Sequence, residues 1–164
     1  MKYESPKQMT AFCIAQPWAS CIFEHGKNVE NRSANLKKRG TIAIYASKSK
    51  KNKRFDYCKE EYGIDKNWDD MAKGAILGFV DIVNVITDDT VTGKTKKWFN
   101  KGDYGYVLSN PYMLKKPVKV VLTKGAVIFW SLKGKALRDS LSQVPMSRQA
   151  KFVEFEIPIE SLKT

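Results

Sequence analysis

The sequence predicts an α+β fold: a small mixed β-barrel with two to four short helices around it. Two observations point there. Five to seven short apolar runs of strand character are bounded by Gly, Pro and Asn turns, and between them lie stretches of helical spacing. Strict alternation of strand and helix is missing, which argues against a doubly wound sheet. The 164 residues suffice for a single domain spanning 1–164, long enough to bury one substantial core without staples.

Taken in order, Met1 to Met9 is a polar lead-in and Thr10 to Ala15 a short apolar strand. A helix follows. Pro17 presets φ for its first turn, Trp18, Cys21 and Ile22 recur at three- and four-residue spacing, and Gly26 stops it. The next strand alternates Ile42 and Ile44 with Thr41, Ala43 and Tyr45. Phe55, Cys58 and Tyr62 share helical spacing. From Ala75 to Ile86 runs the most strand-like stretch. Counting by two puts Leu77, Phe79, Asp81, Val83 and Val85 on one face and Ile76, Gly78, Val80, Ile82, Asn84 and Ile86 on the other. Gly78 there marks a bulge or a close backbone approach. Tyr104 to Leu108 and Pro117 to Thr123 read as strands, the first broken by a Ser109-Asn110-Pro111 turn. Ala126 to Leu132 is another apolar run, and Lys135 to Leu141 a short helix with Ala136, Leu137 and Leu141 inward. Lys151 to Pro158 reads as a closing strand, with Val153, Phe155 and Ile157 alternating against Glu154 and Glu156.

A formal charge of +12 and a pI near 9.6 are large for this size. Such a field favours phosphate backbones or anionic surfaces over neutral small molecules, although lysines kept for solubility give the same total. Cys13, Cys21 and Cys58 are odd in number and lack the spacing of a disulfide framework or a zinc site, so they read as core or free thiols. Neither a signal-peptide run nor the roughly 20 apolar residues of a membrane span is present, and a cytoplasmic protein is expected. No metal or cofactor is expected, since no D-x-D or His/Asp cluster appears.

Lys27, Glu30 and Arg32 place three charges in six positions just past the first helix. A desolvated lysine beside carboxylates serves as an acid, a base or a phosphate clamp, and the arginine fork suits bidentate phosphate or carboxylate. A bare structural lock of Glu30 on the two cations fits the same residues. Between Lys37 and Lys59 there are nine Lys or Arg and one Asp, densest at Lys48, Lys50, Lys51, Lys53 and Arg54. Tyr45, Phe55 and Tyr57 interleave with this run, the composition of a groove that tracks single-stranded nucleic acid. Lys94, Lys96, Lys97 and Lys101 similarly surround Trp98 and Phe99, which either stack on bases or plug their loop onto the barrel. Asp81 stands alone among apolar residues, so it either reaches solvent or pairs with a cation, Lys27 or Arg32 being the expected partner. His25, the one histidine, sits at the helix end, placed either to balance the dipole or to share acid–base work.

The order Gln16-Pro17-Trp18-Ala19-Ser20, then Lys27, Glu30 and Arg32, then Arg39-Gly40 and Ala46-Ser47 resembles the ASCH domains, whose signature is G-x-K-x-x-E-x-R. The signature glycine falls at His25, with Gly26 one place later. Likeness continues at Gly74 to Val80, at Tyr106 to Pro111, and at Lys124-Gly125 ahead of Trp130, so nearly the whole chain is covered.

The resemblance implies a PUA-like barrel and a nucleic-acid-binding role for RNA or single-stranded DNA. The binding residues expected are Trp18, Lys27, Arg32, Ser33, Arg39, Ser47 and Trp98, with the lysines at 48, 50, 51 and 53 and Arg54 flanking the cleft. Some members resemble ribonucleases of single-stranded RNA in which the Lys, Glu and Arg of the signature line a positive cleft. Others are similar to amidohydrolases that release an acyl group from a modified cytidine, a nucleotide-like small molecule. Their lysine, threonine and strand glutamate carry over onto Lys27, Glu30 and Asp81, so the threonine is absent and the strand acid is one methylene shorter. A nuclease would hold the phosphate with Lys27 and Arg32 while Glu30 or Asp81 takes the 2′-hydroxyl proton. The family also implies an interaction module in transcriptional coactivation. Oligomeric state is left open.

Overall fold

The computed structural model describes residues 3–122 and 128–155. Six strands form one mixed sheet that curls into a half-barrel, with short helices laid against it. The strands are β1 (Gln8–Ile14), β2 (Val29–Arg32), β3 (Gly40–Ala46), β4 (Ala75–Ile86), β5 (Tyr104–Lys119) and β6 (Phe129–Lys133). The helices are α1 (Trp18–Glu24), α2 (Phe55–Glu61), α3 (Gly134–Leu141) and α4 (Met146–Gln149). Their order across the sheet is β2-β5-β4-β3-β1-β6; β1 and β3 run parallel and every other pair antiparallel. No helix among the described residues is long and apolar enough to cross a membrane.

Central strand β3 is buried along its whole length because both faces of the sheet are covered. Ile42, Ile44 and Ala46 join the core inside the curl with Phe12, Ile14 and Leu108, whereas Ala43 and Tyr45 join a second core under α3 with Leu132, Leu137 and Leu141. A third cluster gathers Cys21, Val29, Phe55, Met71 and Trp98 beside β2. The expected alternation of β3 is therefore real, but it separates two cores rather than core from water.

Four expectations need correction. β1 starts at Gln8, so the lead-in is shorter, and its Ser5 hydroxyl is already tied to Gln149 at 2.8 Å. Ser109-Asn110-Pro111 does not end a strand: β5 passes straight through into the Pro117 segment. Asp81 pairs with Ser109 and Phe79 with Tyr112, so Asn110 and Pro111 bulge out together opposite Val80, where the missing proline N–H costs no ladder bond. The strict alternation of β4 also fails. Ile44 pairs with Gly78 but Tyr45 with Ile76, so Leu77 is an extra residue that turns inside the curl with Val80 and Ile82. Phe79 joins Ile76 in the other core. Finally, Lys151 to Phe155 is not a strand, although Thr41 N–H donates to the Val153 carbonyl at 2.8 Å; the rest of that segment lies outside the described residues, as do 123–127.

Gly78 meets both expectations placed on it, sitting beside the bulge and at a close approach. A Cβ there would fall on the Tyr112 carbonyl oxygen and within 2.7 Å of the Phe23 ring. We expect Gly78→Ala to destabilise the protein by about 1–3 kcal/mol, the usual cost of overpacking, as a lower denaturation midpoint at unchanged slope.

Candidate functional site

The end of α1 aims the signature residues. Gly26 adopts φ +68°, a left-handed turn that lets the N–H groups of His25 and Lys27 both reach the Cys21 carbonyl at 3.0 Å. Lys27 and Asn28 lead from this reversal into a four-residue edge strand, β2, held to β5 from Val29–Val107 to Arg32–Tyr104. Helix, reversal and edge strand thus bring Lys27, Glu30 and Arg32 together.

Lys27 is 4% exposed and Glu30 5%. The ammonium donates to the Val29 carbonyl and lies 3.5 Å from Glu30 Oε2, with the rings of Trp18 and Trp98 centred 6.0 and 5.8 Å away. Burial lowers the Lys27 pKa from its ordinary value, and the neighbouring Glu30 carboxylate opposes that shift. Arg32 donates to Glu30 Oε1 at 2.8 Å, and reaches the Cys13 carbonyl on β1 at 3.0 Å across the mouth of the curl. Its guanidinium also sits 4.9 Å over the Phe12 ring.

Above this network opens a pocket of about 300 Å³. Trp18, Lys27, Glu30, Asn31 and Arg32 form one side; Asn52, Arg54, Tyr57, Cys58 and Tyr62 form the other, with Asn100 at the edge. Three elements meet there: the α1–β2 segment, α2 with the turn before it, and the 98–100 loop. Asn52 caps the turn, its Oδ1 accepting from Arg54 N–H at 2.8 Å, and the Arg54 guanidinium lies 5.2 Å from the Tyr57 ring. Asn31 grips the loop from β2: its Nδ2 donates to the Trp98 carbonyl at 2.8 Å and its Oδ1 accepts from Asn100 N–H at 2.8 Å.

Among the residues singled out from sequence, Trp18, Lys27, Glu30, Arg32 and Arg54 line this pocket. Ser33, Lys50 and Lys53 are exposed outside its wall. Lys51 turns to Asp56 at 3.8 Å and Lys48 lies over Gly74. Ser47 bonds Ser49, and Arg39 braces its own loop through the Leu36 and Lys38 carbonyls at 2.8 and 3.0 Å. His25 closes α1 and is not in the pocket wall.

Two expectations are corrected. Trp98 is 5% exposed and stacks on Tyr62 at 4.3 Å, so it plugs its loop onto the core beneath Lys27 instead of offering a free face. Asp81 pairs with neither Lys27 nor Arg32. It accepts from the Thr41 hydroxyl at 2.5 Å and the Asn110 amide at 3.0 Å, in a separate cavity bounded by Phe79, Arg148 and Lys151. The reason is topological: β5 stands between β4 and edge strand β2. Sequence reasoning passed over Asn31, Asn52, Tyr62 and Asn100 as site residues. Asn31 lies inside the signature cluster, a usable signal, whereas Asn100 carries none beyond following Trp98-Phe99.

No protein-family model matches this chain, and no curated protein does. The chemistry of the site rests on its geometry.

That geometry has a pH signature. A lysine whose folded pKa is lowered binds fewer protons folded than unfolded, so stability rises with pH from the folded value up to 10.5. We expect the wild type to gain stability relative to Lys27→Met as pH climbs toward 10.5, read as the difference between their unfolding free energies. A constant difference across that window contradicts a desolvated Lys27.

Proposed function

We propose that this chain is an ASCH-like domain, its half-barrel of the PUA-like type, that binds single-stranded nucleic acid, RNA above all, in the pocket beside β2. The observation that carries this reading is the convergence of Lys27, Glu30 and Arg32 with Arg54 and Tyr57 on one open cavity in a chain of +12 formal charge. A cavity of about 300 Å³ is at the small end of ligand sites, the size of one nucleotide unit of a longer strand. Exposed Lys50 and Lys53 carry the backbone past its mouth. The three cysteines are free, which suits a reducing, cytoplasmic setting.

The test is salt. Titrating a mixed-sequence single-stranded RNA decamer, we expect log affinity to fall with log salt at a slope of several units, each phosphate contact contributing roughly −0.7. Arg54→Ala, on an exposed side chain, weakens binding and lowers the slope by about 0.7. A flat response overturns the reading and favours a protein partner.

A hydrolase reading draws on one observation, the buried Lys27 with its lowered pKa against Glu30. A lysine so placed is suited to proton transfer, with Arg32 on the phosphate. Asp81 lies apart from the pocket and takes no part in this version. We expect a ribonuclease of this kind to cleave single-stranded RNA at least about a hundredfold faster than its Lys27→Ala variant, acid–base groups contributing that much. Equal rates remove the catalytic role and leave binding.

A further inference from the structure

Lys27 and Glu30 lie almost wholly buried and face each other, so they form the floor of the pocket. What a ligand meets first is the wall: the half-buried Arg32 and Asn31, and the exposed Arg54, Asn52, Tyr57 and Asn100. Tyr57 is 54% exposed, an aromatic surface left open at the pocket's rim.

The amides in this wall differ in what they have left to give. Asn31 has both side-chain atoms engaged with the 98–100 loop, and Asn52 Oδ1 is engaged with Arg54 N–H. Asn100 is the contrast. Its backbone is pinned at both ends, N–H to Asn31 at 2.8 Å and carbonyl to Asp103 N–H at 3.2 Å, while its carboxamide makes no hydrogen bond to another described residue. A fixed backbone therefore presents one free donor and one free acceptor, side by side, at the edge of a cavity that also offers an aromatic face and two arginines.

We infer that the pocket takes one unstacked base and that the Asn100 carboxamide reads its hydrogen-bonding edge, leaving Arg32 and Arg54 for the flanking phosphates. This rests on the nucleic-acid reading above and deepens it: recognition depends on the base, not on charge alone. Single-stranded nucleic acid is read through splayed bases that stack on aromatic rings and hydrogen-bond along their edges. An asparagine amide matches an edge with one donor beside one acceptor, as on adenine. Asn31 is the positioning residue, acting only through the loop it grips.

Substituting Asn100 changes the code without touching the fold, because its side chain is exposed and unattached among the described residues. Aspartate is acceptor-only, and of the four RNA bases only guanine offers two adjacent donors, N1–H and N2–H. The probes are ribose-phosphate decamers lacking every base, or carrying a single central A, C, G or U, titrated by fluorescence anisotropy. We expect the wild type to bind at least one single-base decamer about tenfold or more tightly than the abasic strand, at the same salt slope. Tyr57→Ala shrinks that gain. Asn100→Asp raises the affinity for the guanine decamer relative to the other three by about tenfold, while its added negative charge weakens every strand, the abasic one included. Equal wild-type affinity for abasic and base-bearing strands, with a steep salt slope, overturns base reading and leaves the nucleic-acid reading standing. An unshifted base preference in Asn100→Asp overturns the assignment of Asn100. No binding of any decamer overturns both readings.

Discussion

Glu30 holds the open side of this half-barrel together by being a buried carboxylate between two cations. Removing it would leave Lys27 buried opposite no counter-charge, a loss of about 3–5 kcal/mol for comparable pairs. Its consequence reaches further than the pair. With Arg32 Nη1 on Glu30, the other end of the guanidinium extends to the Cys13 carbonyl, and β2 and β1 are separated in the sheet order by β5, β4 and β3. One side chain therefore spans the curl from its edge strand to a strand near the far edge. The rings of Phe12 and Tyr106, 6.0 Å apart and edge-on, fill the curl behind it.

The same ion group sets the electrostatics of the pocket. Lys27 and Arg32 against Glu30 leave one positive charge among three groups, two of them hidden. On the proposed nucleic-acid reading, long-range attraction comes from the exposed lysines, and discrimination falls to the neutral and aromatic groups of the wall. Affinity and selectivity are divided between different residues on that reading.

Much of the sheet was legible because its strands are long and apolar: β3 and β4 announce themselves through Ile and Val, and β4 begins and ends where the sequence says. The charged cluster after Gly26 was legible too, since helix stop and charge spacing are local properties. Other features were hidden for physical reasons. β2 is four residues long and half charged, so it shows no apolar period; only pairing with β5 makes it a strand. The bulge at Leu77 comes from a register shift against β3, a nonlocal fact that moves Phe79, Val80 and Ile82 to the opposite faces from a count by two begun at Ile76 and Leu77. Asp81 was assigned to the wrong site for that class of reason: strand order, not spacing, decides which carboxylate meets which cation.

Trp98 shows the same limit from another side. A tryptophan among four lysines has the composition of a stacking platform, and composition does not say which way the indole turns. Here Tyr62 covers it at 4.3 Å and the Lys27 ammonium lies 5.8 Å from its centre, so the ring is a wall for a buried charge. That burial anchors the basic 94–101 loop to the third core, and Asn31 fixes where the loop goes next. The anchor and Asn31 together bring Asn100 to the pocket's edge and hold its backbone there. Recognition groups on loops need such support, because an unpinned amide would give back in ordering entropy much of what its hydrogen bonds contribute.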